Sequence, residues 1–483
     1  MASLCIQLIF FLFLFPISAL SRKNGIVPLG STLTAGETSA SPWLSPSGDF
    51  AFGFQEVQHK DLFLLSIWYH KIPDNTVVWF VYSTNPVPRG STVKLDPQTG
   101  LVHCDPRGLQ LWSANVDSAQ IDHGFMNDTG NFILKGNDDS WLWESFKHPA
   151  DTILPNQELK IGDFLSSRKS ATSFSRGRFY LRFRDDGNLV LVTKSVSTNV
   201  DDDAEYYNSK TSDSRDPLYS GSRVTFDGRG AMYIMKKDNQ TEQLSPFSIP
   251  PASENYHRAT IDFDGVFTHY YHPRTLTGNP NWKALWYLPQ NICISLRANH
   301  RGSGACGFNN ICNLKNGKPV CECPKRYVLL DPDDTYGSCI PNSTLSCAEV
   351  DGGSAENLYD FEVVSDIDWP LSDFEQIHPS NERVCVQKCL HDCFCAVAIY
   401  RENNCWKKGP PLSNGKADKT IHSKAFIKYR KSDESKPKDR GTFIRVEPVL
   451  LGTSFLVNLI FITTACLGFY LMYRKKRIIS FEY

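Results

Sequence analysis

Charge imbalance is missing from this sequence. Its 483 residues carry 51 Lys and Arg against 52 Asp and Glu, a formal net charge of −1. Without a basic excess, no nucleic-acid partner is expected. Compositional extremes are missing too: 41% hydrophobic and 21% charged residues exclude a disordered, collagen-like or multi-spanning membrane chain. Catalytic signatures are also absent. There is no Gly-rich phosphate loop, VAIK-type Lys, HRD loop or DFG, the parts that phosphoryl transfer needs. HExxH and GxSxG are absent as well, so zinc-protease and serine-hydrolase chemistry have no anchor. GRGAMY at Gly228–Tyr233 has two of the three glycines of GxGxxG, but it reads as a strand turn. No catalytic residue, metal or cofactor is expected. Cysteine is scarce in the first part of the chain, with only Cys104 between Arg22 and about Gln290, which confines disulfide-stapled modules to the C-terminal half.

Long apolar runs are also few, and the two present set the compartment. The first, within residues 1–21, has a run from Leu8 to Leu20 too short to span a bilayer comfortably. Ala19 and Ser21 follow in the −3/−1 pattern of a signal-peptide cleavage site. The n-region has no Lys or Arg, so the amino terminus alone supplies its positive charge. The second, Val449–Tyr473, is uncharged with one amide, Asn458, long enough to cross ~30 Å of hydrocarbon. Arg474, Lys475, Lys476 and Arg477 follow it, and the positive-inside rule places them in the cytoplasm. The reading is a single-pass type I plasma-membrane protein with its N-terminal part outside. Its tail, residues 474–483, is too short to fold, and residues 431–448, rich in charge, form a stalk.

The outer part reads as mainly β. Aromatic residues make up 12%, with 31 Gly and 28 Pro, and six Gly turns each open an alternating apolar run: Ser47–Phe52, Thr99–Val102, Thr129–Leu134, Asp186–Leu191, Asp227–Ile234 and Asp264–Tyr271. Gly takes the φ > 0 geometry of a tight hairpin at little cost, and period-2 alternation marks half-buried strands. Three such units before residue 150 and three after predict two all-β domains of pseudo-threefold build, one large β-sandwich being the alternative. Trp68, Trp79, Trp112, Trp141 and Trp143 are expected to fill the first core.

The stretches LSPSGDFAFGF, LLSIWYHKIPDNTVVWFVYSTNPV and ESFKHPADTILPNQEL resemble the bulb-type, mannose-binding lectin domain of plant receptor-like proteins. The resemblance covers residues 22–155 and, more weakly, a second copy at 156–285. It implies tandem β-prisms, each of three four-stranded sheets.

Six cysteines at 293, 306, 312, 321, 323 and 339 fall in a segment too short to build its own core, so disulfides must compensate. The C-x-C step with Gly307, Phe308 and Tyr327 makes residues 290–341 similar to an EGF-like module, and a zinc site is disfavoured because thiols outside the cell are oxidised. The resemblance implies Cys293–Cys312, Cys306–Cys321 and Cys323–Cys339. A second cluster holds Cys347, Cys385, Cys389, Cys393, Cys395 and Cys405. Cys385 and Cys389 share one face of a short helix, and residues 345–430 resemble a PAN/apple domain. That implies Cys385–Cys405, Cys389–Cys395 and Cys347–Cys393. His391 is read as an exposed helix end rather than a metal ligand, and Cys104 as a buried, inert free thiol, with an intermolecular bridge the alternative. Asn127, Asn239 and Asn342 are glycosylation acceptors.

Mannose-binding lectins of this kind carry a QxDxNxVxY strand, whose period-2 side chains share one face and can hydrogen-bond sugar hydroxyls. RDDGNLVLV keeps Asp186, Asn188 and Val190 but has Arg184 for Gln and Val192 for Tyr. In the first domain Asn127, Thr129, Asn131, Ile133 and Lys135 keep only the Asn and a near-equivalent of the Val, and the turn at Gly48 does no better. Each unpaired group should cost about 1–3 kcal/mol. These strands are therefore expected to serve mainly the fold, with Asp186, Asn188 and Val190 the candidates for glycan contact.

The whole order resembles the ectodomain and span of plant G-type (S-domain) lectin receptor-like serine/threonine kinases, without the kinase. It implies a cell-surface receptor-like protein with an extracellular ligand (glycan, lipid or protein), acting with a partner receptor kinase, in an oligomer or as a competitor of full-length receptors. A truncated or isoform sequence of such a kinase and a plain carbohydrate-binding lectin are the alternatives.

Overall fold

The computed structural model describes residues 24–431 except 38–40, 58–59, 83–85, 117–119, 195–200, 276–280, 297–302 and 344–354; the expected leader (1–21), the span (449–473) and its flanks, and Cys347 lie outside the described residues. All six Gly turns form hairpins, with Gly48, Gly100, Gly130, Gly187, Gly230 and Gly265 at positive φ.

Three four-stranded antiparallel sheets make the first prism. One orders Ile26–Pro28, Ile121–Met126, Phe132–Gly136 and Trp141–Glu144. The next orders Gln110–Ser113, Gly100–Cys104, Thr92–Asp96 and Thr32–Thr34. The third orders Trp43–Leu44, Phe50–Glu56, Leu62–Tyr69 and Val77–Phe80, with Val87–Pro88 added beside Leu62–Tyr69. Each sheet sends one tryptophan to a common centre. Trp79, Trp112 and Trp143 stand 5.9–6.2 Å apart, edge to face, the arrangement that ring quadrupoles prefer. Trp68 is buried as well. Trp141 is not: it is 51% exposed. A register shift between Leu134 and Lys135 pairs them with Trp143 and Trp141, and this bulge turns Trp141 away from the face that period 2 assigns it.

The second prism repeats the plan. Thr152–Ile153, Asn255–Ile261, Phe267–Pro273 and Lys283–Leu288 form one sheet; Gln157–Lys160, Gly221–Phe226, Met232–Lys236 and Thr241–Gln243 the second; Phe164–Arg168, Arg176–Phe183, Leu189–Lys194 and Asp201–Asn208 the third. Its strands therefore run from Thr152 to Leu288. Six separate sheets leave no room for a single β-sandwich.

The cysteine-rich segments are not beads on a string. Ile292, Cys293, Leu296, Cys306 and Cys312 join the buried core of the second prism. Strand Ile311–Lys315 pairs in parallel with Lys416–Ala417 from the second cysteine cluster, so the two segments share a sheet. Beyond it, five strands (Tyr359–Ser365, Lys424–Arg430, Val397–Arg401, Asn404–Lys408 and Asp373–Ile377) carry the helix Glu382–Leu390. Asn381 caps that helix by accepting from Val384 N at 3.0 Å. Five disulfides with both cysteines among the described residues staple the region: Cys293–Cys312, Cys306–Cys321, Cys323–Cys339, Cys385–Cys405 and Cys389–Cys395. The four longer loops, with sequence separations of 15 to 20, contribute about 3 kcal/mol each. Cys393 is disulfide-bonded as well.

Candidate functional site

Asp186 and Asn188 flank Gly187 at the tip of a hairpin in the third sheet of the second prism. Gly187 has φ 86°, and a Cβ there would sit 2.6 Å from Gly221 N, so no other residue fits. The Asp186 carboxylate accepts Asn188 N at 2.9 Å and Asn188 Nδ2 at 3.1 Å. Arg184, standing where the sugar motif has Gln, lies 3.4 Å from Asp186 Oδ2 and also ion-pairs with Glu205. Asn188 is 7% exposed and its Oδ1 has no hydrogen-bond partner. The Nδ2–Asp186 bond fixes that orientation, because a carboxylate can only accept. Val190 is fully buried against Tyr180 and Val192, so it supports the strand and offers no surface to a ligand. A cavity of about 580 Å³ adjoins the tip, lined by Gly162, Phe164, Arg182, Phe183, Arg184, Asp185 and Asp186.

The first prism uses its corresponding groups internally. Asn131 donates to Glu144 at 2.8 Å and accepts from Ser145 Oγ and Phe146 N. Asn127 accepts from Thr129 N. At the Gly48 turn, Asp49 pairs with Lys71 at 2.7 Å and Arg274 at 2.8 Å and accepts from the Tyr256 hydroxyl, joining the two prisms.

One constellation escaped the sequence reading. The register of the Gly187 hairpin, applied around Gly265, puts Asp262, Asp264, Thr268 and Tyr270 on one face, and there Lys318 meets them. The signal in the sequence is DFDG, in which Asp264 matches the Asp of the motif and Asp262 stands for its Gln.

The remaining assignments sit as follows. Asn239 and Asn342 are exposed and Asn127 is half-buried. His391 caps the C-terminus of Glu382–Leu390 and pairs with Glu356 at 3.0 Å. Cys104 is a free thiol, half-buried rather than buried, because it ends its strand beside the Asp105 turn; burial and the Asp105 charge push its pKa up. Among the described residues, no group of three His, Cys, Asp or Glu is placed to hold a metal, and no helix is long and apolar enough to cross a membrane.

The D-mannose binding lectin family model matches residues 76–175, from the strand Val77–Phe80 across the junction of the prisms. The chain is similar to lectin-domain proteins over that stretch. It is 38% identical over 463 residues to the G-type lectin S-receptor-like serine/threonine-protein kinase RLK1 of Arabidopsis thaliana, covering 90% of this chain and 54% of that protein. It is 36% identical to LECRK3 of Oryza sativa subsp. indica, of the same description, covering 95% and 59%. The chain thus spans a little over half the length of these curated relatives. Among solved structures, a monomeric monocot mannose-binding lectin from Gastrodia elata aligns at 16% identity over 29% of this chain and 99% of its own, TM-score 0.20. The two-domain fetuin-binding agglutinin of Scilla campanulata aligns at 17% identity over 55% and 100%, TM-score 0.17. At those scores neither informs the site.

Proposed function

We propose that this chain is the extracellular recognition part of a plasma-membrane receptor of the G-type lectin receptor-like kinase family, and that it recognises a glycan at the Gly187 hairpin. One observation carries the site. Asn188 Oδ1 is a buried acceptor without a donor, and the neighbouring Asp186 carboxylate and Arg184 guanidinium line a cavity. An unmade bond of that kind costs about 1–3 kcal/mol, and a sugar hydroxyl supplies the missing donor while Arg184 donates to a neighbouring oxygen.

In this reading residues 1–21 are the leader and 449–473 the single span. Residues 290–341 are the EGF-like module and 345–430 the PAN/apple domain, with Cys347 bonded to Cys393. Asn239 and Asn342 bear glycans. The first prism is scaffold, since Asn131 and Asp49 are committed to protein partners. Signalling runs through a serine/threonine kinase. A transcript continuing past Tyr483 into Gly-rich and HRD motifs would put that kinase on the same polypeptide, and a kinase co-purifying in mild detergent would put it on a partner.

The test is a glycan screen with secreted residues 22–447. Asn188→Ala and Asp186→Ala should each weaken the retained glycan about tenfold or more, the equivalent of about 1.4 kcal/mol. Retention unchanged in both variants, or no glycan retained by folded protein, refutes the site.

A further inference from the structure

Around Gly265 the backbone repeats the Gly187 hairpin bond for bond. Gly187 N donates to Arg184 O at 2.9 Å and Gly265 N to Asp262 O at 2.9 Å. Asp186 Oδ1 accepts Asn188 N at 2.9 Å, and Asp264 Oδ1 accepts Val266 N at 2.9 Å. Equivalent side chains follow: Asp262 stands for Arg184, Asp264 for Asp186, Thr268 for Val190 and Tyr270 for Val192. Two carboxylates, a hydroxyl and a phenol thus converge where the other hairpin presents a cation and a valine pair.

The face is occupied. Lys318 Nζ donates to Asp262 Oδ2 at 2.5 Å and to Thr268 Oγ1 at 2.8 Å, and lies 3.3 Å from Asp264 Oδ2. An ammonium has three donors, and all three find acceptors here. Tyr270 donates to the same Asp262 oxygen at 2.6 Å, and its ring centroid lies 5.8 Å from Nζ. Asp264 and Thr268 are buried, so without a cation their lone pairs would face a dry pocket.

Local sequence delivers the lysine. Asn316 and Gly317 take φ 52° and 74°, the two-residue turn in which both central residues are left-handed, and Lys315 pairs with Lys318 across it. A Cβ on Gly317 would lie 2.5 Å from the Tyr287 ring, so the glycine also lets the hairpin lie against the prism. Tyr336 holds the following residue, donating to Pro319 O at 2.9 Å.

We propose that the Gly265 hairpin is an ammonium-binding site of the second prism, and that Lys318 of the first cysteine-rich segment is its built-in ligand. The site latches that segment to the prism by charge in addition to the buried core they share. It also removes one of the turn-strand faces from competition for outside ligands, leaving the Gly187 face open.

Lysine labelling on the full chain in mild detergent tests this without any variant. An amine acylates only when deprotonated, and each unit of raised pKa slows it about tenfold. Burial opposes charge on Lys318, yet Asp262 and Asp264 outweigh it and hold the ammonium well above the usual lysine range. With an N-hydroxysuccinimidyl acetate probe read by mass spectrometry, Lys318 should label at least about tenfold more slowly than the exposed Lys315 of the same hairpin. Asp264→Asn should narrow that gap. Lys318→Met should melt at a lower temperature than wild type, and ethylammonium should restore part of the loss where tetramethylammonium, which has no N–H, does not. Equal labelling of the two lysines in wild type overturns the proposal, as does equal rescue by both cations. If Lys318→Met does not fold, the wild-type labelling ratio still decides.

Discussion

His269 lies buried between two partners that fix its tautomer. The Trp286 indole can only donate, and it does so to His269 Nδ1 at 3.0 Å. His269 must then carry its proton on Nε2 and donate to His257 Nδ1 at 3.1 Å, which leaves His257 Nε2 to donate to the Pro250 carbonyl at 2.9 Å. A further proton would set two N–H groups face to face. Burial and the neighbouring His257 push His269 down to about 3, and burial lowers His257 against the pull of the Pro250 carbonyl. The folded state therefore binds fewer protons than the unfolded one, whose histidines titrate near 6.5. The stability from neutral His269 is complete above that value and falls as pH drops below it, by about 2 kcal/mol at pH 5. Asp264, raised to about 6 by burial, and Asp151, also raised by burial, act in the opposite sense, so the informative quantity is a difference. His269→Gln, which can accept from Trp286 and donate to His257, should lose less melting temperature between about pH 7.5 and pH 5 than wild type. An identical loss in both proteins removes His269 from the acid response.

At the scale of elements, the tryptophan centre gives a sharp contrast. Trp79 is buried at the meeting point of three sheets, and its Nε1 donates to His148 O at 2.7 Å. Trp79→Ala should cost about 3–5 kcal/mol in chemical denaturation, whereas Trp141→Ala should stay within about 0.5 kcal/mol of wild type. Equal effects would mean that the pseudo-threefold core is misassigned. The same pair marks how far the sequence could be read. Gly turns and period-2 runs are local signals, so the six hairpins and the two sets of three sheets were legible. A bulge depends on how a strand meets its neighbour, and the Leu134/Lys135 shift that turns Trp141 outward left no mark in the run WLWE. The Gly187 site was half-legible. Asp186 and Asn188 could be picked out, but only the structure shows that Asp186 is engaged by Arg184 while Asn188 Oδ1 is left unpaired. Contacts across long stretches of chain were not legible at all: the pairing of Ile311–Lys315 with Lys416–Ala417 joins segments with no shared motif.

For the whole molecule, what matters is how separate modules become one body. Arg178 of the second prism donates to the carbonyls of Gly304 at 2.8 Å and Ala305 at 2.5 Å, and Trp369 donates to Asn310 O at 3.1 Å across the two cysteine-rich segments. Between the prisms the corresponding element is Asp49. Burial works against its ionisation, but hydrogen bonds from Lys71 and Arg274 outweigh that and hold the carboxyl below the usual range. Around it, Tyr69 donates to His257 O at 2.7 Å, and Trp282 donates to Thr76 Oγ1 at 2.6 Å. Removing one member of a buried ion cluster leaves the others uncompensated, a loss of 3–5 kcal/mol where burial is complete. Here Lys71 and Arg274 are 52% and 39% exposed, so solvent screening brings the expectation down to about 1–2 kcal/mol. Asp49→Ala should therefore leave each prism folded while loosening their junction. Amide exchange should quicken at Tyr256–Arg274 and around Thr76, with little change at the Trp79 centre. The carboxylate is charged throughout mild acid, so its contribution should fade only as pH falls below about 4. Exchange that rises uniformly through the first prism would show that Asp49 serves the Gly48 turn and not the junction.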